Sequence, residues 1–213
     1  MKIAVWYHCL LKGPGINPDY AVALLQSQMN ALRDSGLYSH ANEVHLSVNG
    51  NDSDALTLTG FAPGPCELHV NGDGQSELAT LRHLQAWLTP GWFVLYFHMK
   101  GVCYPDNPVW DRWRKCMEKV CLWNWESCVE ALGGYDAVGA HWLTHKKYPM
   151  VAREHRYFGG NFWWARSDYL LTLPPVTKDS REARYDAEVW IGNSRIPPLV
   201  HDFAPHWPLN CPP

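Results

Sequence analysis

Trp92 to Gly101 reads WFVLYFHMKG, and the fold of the chain turns on how this stretch is taken. Trp92 to Phe97 is apolar at odd and even positions alike, so a strand here buries both of its faces, as a central strand covered by helices on each side does. Its far end changes character. Side chains alternate along an extended segment, which places His98 and Lys100 on the same side, and Gly101 lets a ligand approach the backbone. In open α/β sheets ligands bind beyond the carboxyl ends of the strands. His98 and Lys100 therefore converge where a diphosphate could have its charge offset; His98 is equally a candidate metal ligand, and both residues suit an ordinary strand edge.

The segments on either side support a central position for this strand. Lys2 to Cys9 is a short apolar run closed by the Gly-Pro-Gly turn at Gly13 to Gly15, which predicts a first buried strand. Pro18 opens a helix whose Val22, Leu25, Met29 and Leu32 recur at helical spacing until Gly36. Glu43 to Val48 and Glu67 to Val70 are two further strands, with Asp52 to Asp54 in a polar loop between them, and Leu78, Leu81, Leu84 and Leu88 mark a helix over Ser76 to Leu88. Beyond the central strand, Pro108 begins a long helix reaching Gly133. Strands over Tyr135 to Trp142 and Tyr157 to Ala165 follow, then helices over Asp168 to Leu173 and Asp179 to Ile191, and a Pro-rich tail from Pro197. Strands alternating with helices predict a single α/β domain over residues 1–213 with a mainly parallel central sheet flanked by helices.

A net charge of −3 over 213 residues provides no basic surface for gripping a phosphate backbone, which argues against nucleic acid as a partner. Seven cysteines contain no C-x-x-C pair and no paired zinc-ligand spacing, the usage of a reduced, cytosolic protein. The opening MKIAVWYHCLLKGPG has the pattern of neither a signal peptide nor a spanning helix, so the expected location is cytoplasmic. Twelve Trp and ten Tyr supply either stacking planes for sugars and bases or core packing.

At the other strand ends, neither G-x-G-x-x-G nor G-x-x-x-x-G-K-[ST] occurs, which removes the main support for Rossmann or P-loop phosphate binding. Tyr7, followed by His8, offers a nucleotide stacking plane or else caps the core. Asp73 in Asn71 to Gly74 is a lone metal or ribose partner, or simply turn chemistry. Gly159 to Leu170, GGNFWWARSDYL, combines close-approach glycines with Asn161 and the indoles of Trp163 and Trp164, groups that suit sugar hydroxyls and sugar faces. Arg184 and Glu188 stand four apart on a helix, with Asp186 between them; such a pair is an ordinary surface ion pair unless the helix faces the carboxyl edge, where Glu188 becomes a general base.

Taken in order, SGLY (Ser35 to Tyr38), LYFHMKG (Leu95 to Gly101), WRKCME (Trp113 to Glu118), YDAVG (Tyr135 to Gly139), GGNFWWARSDYL and R-x-x-x-E-x-W (Arg184 to Trp190) resemble small GT-A-type glycosyltransferase domains of bacterial polysaccharide clusters and large algal viruses. The H-x-K-G element is similar to one in rhamnan-synthesis-type proteins. The resemblance spans nearly the whole chain. It implies a GT-A-like fold and transfer of a hexosyl or deoxyhexosyl group from a nucleotide-diphosphate sugar, UDP-linked in this reading, to a hydroxyl of a glycan or glycoprotein. By resemblance, the diphosphate falls to His98 and Lys100 and the acceptor or sugar to Asn161, Trp163 and Trp164; the strand-end and helix positions add Tyr7, His8, Asp73 and Gly101 to the expected nucleotide-sugar contacts and Arg184 to the acceptor contacts. Glu188 is then the base, with Asp186 second. The family's Asp-x-Asp metal motif is replaced here by FHMKG, which leaves dependence on Mn or Mg open, with Asp73 and His98 as candidate ligands. A carbohydrate-binding or scaffold domain without catalysis, and a nucleotide-binding hydrolase, are the alternative expectations.

Overall fold

The computed structural model describes residues 1–72, 76–144, 156–177 and 184–205. Its elements run β1 (Lys2–Leu10), α1 (Pro18–Asp34), α2 (Leu37–His40), β2 (Glu43–Asn49), α3 (Asp52–Gly60), β3 (Glu67–Asn71), α4 (Glu77–Trp87), β4 (Trp92–His98), α5 (Pro108–Glu118), a π-helical turn (Lys119–Trp123), α6 (Trp125–Ala131), β5 (Ala137–Gly139), β6 (Trp142–Thr144), β7 (Arg156–Phe158), β8 (Trp163–Arg166), α7 (Ser167–Leu170), α8 (Arg184–Trp190) and β9 (Val200–Asp202). Seven strands form one sheet in the order β3-β2-β1-β4-β8-β5-β9, and β6 pairs with β7 apart from it. β1 is parallel to both β2 and β4, β2 to β3, and β5 to β9; β8 alone runs against its neighbours β4 and β5.

The expectation for β4 is met. Leu95 and Phe97 enter a core built with α1, α3, α5 and α6, while Val94 and Tyr96 enter a second core built with α4, α7 and α8. Each helix buries its apolar stripe on one of these faces, which is why consecutive strands lie parallel with a helix between them.

Four local expectations are corrected. Asp52 and Asp54 open α3 rather than a polar loop: Asn51 accepts from the Ser53 and Asp54 amides while the Asp54 carboxylate accepts from the Asn51 amide, a reciprocal cap. The long helix after Pro108 is broken at the π turn, where the Asn124 amide reaches the Lys119 carbonyl. The strand expected over Tyr135 to Trp142 divides at His141, whose φ is 66°, because the Asp202 carboxylate accepts the amides of both His141 and Trp142 and turns the chain out of the sheet. The strand expected over Tyr157 to Ala165 divides at Gly159, Gly160 and Asn161. A Cβ on Gly159 would stand 2.6 Å from Leu143 Cδ1, and one on Gly160 2.5 Å from Met117 Sδ, so packing against α5 and β6 is what these glycines serve. The helix expected over Asp179 to Ile191 is described from Arg184 onward, and its earlier residues lie outside the described residues, as does Asp73.

Candidate active site

The carboxyl end of β4, the first turn of α4, the Gly159–Asn161 turn and α8 meet on the α4 side of the sheet. Lys100 lies just beyond β4, its nitrogen 4.7 Å from the centre of the Trp113 ring and 5.4 Å from that of Trp110. It donates to Glu188 Oε1 at 2.8 Å, with 14% of the lysine and 20% of the glutamate side chain exposed. Both charged groups are thus mostly enclosed, with a small part of each facing solvent. Gly101 has a φ of 84° and a virtual Cβ 3.3 Å from Trp110 Cβ, so its freedom lets the chain turn tightly against α5 rather than leaving room for a ligand.

His98 shares this end but does not act as a second cation. Its Nε2 lies 2.8 Å from the Gly160 carbonyl, which only accepts, so Nε2 carries the hydrogen. Burial, and then the Lys100 charge, push the imidazole down to about 4, and it is neutral at physiological pH. Its Nδ1 faces Glu77 Oε2 at 4.0 Å.

Glu77, at the start of α4, is the residue that sequence reasoning missed. Its Oε1 accepts from Tyr96 Oη at 2.8 Å and from Asn161 Nδ2 at 2.7 Å. Burial raises its carboxyl above the ordinary range, and the Glu188 charge adds to the rise while His8 and these hydrogen bonds oppose it. Acidic residues are common in first helical turns, so nothing in the sequence separated this one from others.

Several expected ligand contacts are corrected. Tyr7 is fully buried, tilted against Phe97 at 4.6 Å and donating to Gln28 Oε1 at 2.8 Å; it caps the core and presents no plane to a base. His8 is buried against Thr80, with Nδ1 2.7 Å from Oγ1, and burial pushes it down to about 4. Trp163 stacks on Tyr96 inside one core, and Trp164 donates to the Cys121 carbonyl inside the other. Asn161 is equally enclosed: at φ 57° it accepts from Trp163 Nε1 at 2.7 Å and donates to Glu77 and, at 3.3 Å, to the Ala187 carbonyl. These residues frame the site and leave no face for a sugar. Asp186 is half-buried on α8, and Arg184 begins that helix.

The described residues at this end do not fit a Mn or Mg ion. Hard cations take several oxygen ligands, and here Glu188 is neutralised by Lys100, Glu77 is engaged by Tyr96 and Asn161, and a lysine occupies the mouth. Among the described residues the trio able to hold a metal is His45, Glu67 and His69, elsewhere in the fold.

Comparison with solved structures confirms the architecture. The chain is similar to Rv0371c from Mycobacterium tuberculosis H37Rv, with a TM-score of 0.51, 14% identity, and coverage of 96% of this chain and 88% of that one. It is similar to HddC from Yersinia pseudotuberculosis, with a TM-score of 0.51, 11% identity, and coverage of 96% and 91%. Glucosyl-3-phosphoglycerate synthase from Mycobacterium tuberculosis, solved with Mn2+, UDP and phosphoglyceric acid, gives a TM-score of 0.45 at 13% identity, over 81% of this chain and 58% of that one. No protein-family model and no curated protein sequence matches the chain. The two likenesses above 0.5 show the fold alone, a mixed α/β, GT-A-like arrangement with a mainly parallel central sheet flanked by helices. No helix among the described residues is long and apolar enough to cross a membrane.

Proposed function

We propose that the chain is a glycosyltransferase that moves a sugar from a nucleotide-diphosphate donor to a hydroxyl of a glycan or glycoprotein. The observation that carries this reading is the Lys100–Glu188 pair at the carboxyl end of β4, where sheets of this kind bind their ligands. The GT-A-like fold and the H-x-K-G and R-x-x-x-E-x-W motifs support it. Fold alone does not choose a reaction; the lysine and the carboxylate are what support this one.

A diphosphate entering the site competes with Glu188 for the Lys100 ammonium. As Lys100 turns to the phosphate oxygens, Glu188 is released to take the proton of the acceptor hydroxyl. That oxygen then attacks the anomeric carbon, the bond to the diphosphate oxygen breaks with its electron pair, and Lys100 offsets the charge of the leaving group. Neutral His98 fixes the Gly160 carbonyl and shapes the wall. Asp186 remains the second candidate base, although residues two apart on a helix do not face the same way. Trp163 and Trp164, the indoles next to this site, are buried and offer no stacking face to a lectin-type ligand.

The test pairs calorimetry with a transfer assay. UDP and UDP-sugars are expected to bind and a labelled sugar to pass to glycan; binding of free glycan with indifference to every nucleotide would replace the transferase by a carbohydrate-binding domain.

A further inference from the structure

A second chemically equipped cluster lies on the α4 side of the sheet, on β2 and β3, two and three strands from β4 toward the β3 edge. Two short patterns build it, Glu43-Val44-His45 on β2 and Glu67-Leu68-His69 on β3. Glu67 stands directly opposite His45 in the parallel register, and residues two apart share a face, so both histidines and both glutamates come to one place.

His45 Nδ1 lies 3.2 Å from His69 Nε2 and 3.4 Å from Glu67 Oε2. Nitrogens bound tetrahedrally to zinc at about 2.05 Å stand about 3.3 Å apart, so these two separations match edges of a ligand tetrahedron; the third, His69 Nε2 to Glu67 Oε1 at 3.9 Å, closes to one with a turn of the exposed carboxylate. The tautomer is also set. His45 Nε2 is 3.1 Å from Glu43 Oε2, a carboxylate oxygen that only accepts, and Trp87 Nε1 donates to the same oxygen at 2.8 Å. Nε2 therefore carries the hydrogen, and the bare lone pair of Nδ1 points at His69 and Glu67. A carboxylate holding the far nitrogen of a histidine is the usual outer partner of a metal ligand.

The rings are held in place before any ion arrives. Trp6 stacks on His45 at 4.0 Å with 6° between planes and on His69 at 5.0 Å, and His83 stacks on His69 at 4.9 Å. His45 is fully enclosed, while the Glu67 side chain is 62% exposed, which opens the remaining coordination position to solvent.

We propose that His45 Nδ1, His69 Nε2 and the Glu67 carboxylate bind one divalent transition-metal ion of the zinc class, with Glu43 as the outer partner of His45. The ion would tie the mostly exposed edge strand β3 to β2. Two imidazoles and one carboxylate suit zinc and disfavour magnesium or calcium, which take oxygen ligands.

The test is titration of the chelator-treated full chain with zinc, magnesium and cobalt. Zinc is expected to bind at one equivalent and raise the melting temperature, magnesium to do neither, and cobalt to give the visible absorption of a tetrahedral site without a thiolate charge-transfer band. Glu67→Gln, at a mostly exposed position, is expected to weaken zinc about tenfold or more, and Glu43→Gln about tenfold. Glu188→Gln is expected to leave zinc affinity unchanged. Absence of zinc binding, a thiolate band with cobalt, or undiminished affinity in both Glu67→Gln and Glu43→Gln would overturn the proposal.

Discussion

Lys100 Nζ and Glu188 Oε1, 88 residues apart in sequence, meet at 2.8 Å beyond the end of β4. Each occupies the other's hydrogen-bonding position, so a ligand that takes the ammonium frees the carboxylate. The two substitutions should therefore differ in kind. Glu188→Gln is expected to lower kcat by about 10²- to 10⁴-fold, the usual contribution of a positioned base, with donor binding nearly intact. Lys100→Met is expected to weaken UDP binding as well. Full turnover in Glu188→Gln removes that residue from the role.

Asn161 is a second point of leverage. It is buried in the left-handed region and joins Trp163, Glu77 and α8. Replacing it by Ala leaves a buried indole N–H without its partner, removes one hydrogen bond from Glu77, and keeps the strained φ. A loss of about 3 kcal/mol is expected, read as a lower urea midpoint, and Asn161→Gly should recover only the backbone share.

Gly192, just past α8, has no room for a side chain, since a Cβ there would lie 1.7 Å from the Arg156 carbonyl oxygen. Gly192→Ala is expected to push α8 away from β7 at a cost of about 3 kcal/mol and to draw Glu188 off Lys100, so that activity falls further than stability alone explains. A melting temperature equal to that of the wild type would contradict this packing.

Histidine and carboxylate burial give opposite dependences on pH. His8 is held down to about 4, so it binds a proton more weakly folded than unfolded, and stability is lost as pH falls from 6.5 toward 4, by about 3 kcal/mol for this one group. Glu77 and Glu118 are raised by burial; their contribution is present below the ordinary carboxylate value and is lost as pH rises from there through the raised folded value. Denaturation followed from pH 4 to 7 should show a shallower acid loss in His8→Gln than in the wild type, and parallel curves would refute the assignment.

The sheet and its crossover helices were legible because their signal is periodic: β4 is apolar on both faces, and the leucines of α4 recur at helical spacing. Lys100 and Glu188 were legible as strand-end and helix residues. The reversal of β8, the break at His141 and the burial of Tyr7, Trp163 and Trp164 were not, since an aromatic residue reads the same whether it faces a sugar or another ring. Glu77 was hidden for a related reason. Its role comes from Tyr96 and Asn161, 19 and 84 residues away, and no local pattern carries that distance.

The backbone carbonyl of His98 accepts a hydrogen bond from Gln28 Nε2, which also donates to Glu118 at the end of α5, while the imidazole of the same residue reaches the Gly160 carbonyl. A single peptide unit is thereby gripped from above and below. Substitution at Gln28 or Glu118, both in the interior, would loosen that grip and shift the chain leading to the lysine two residues on, without altering any residue that Lys100 touches.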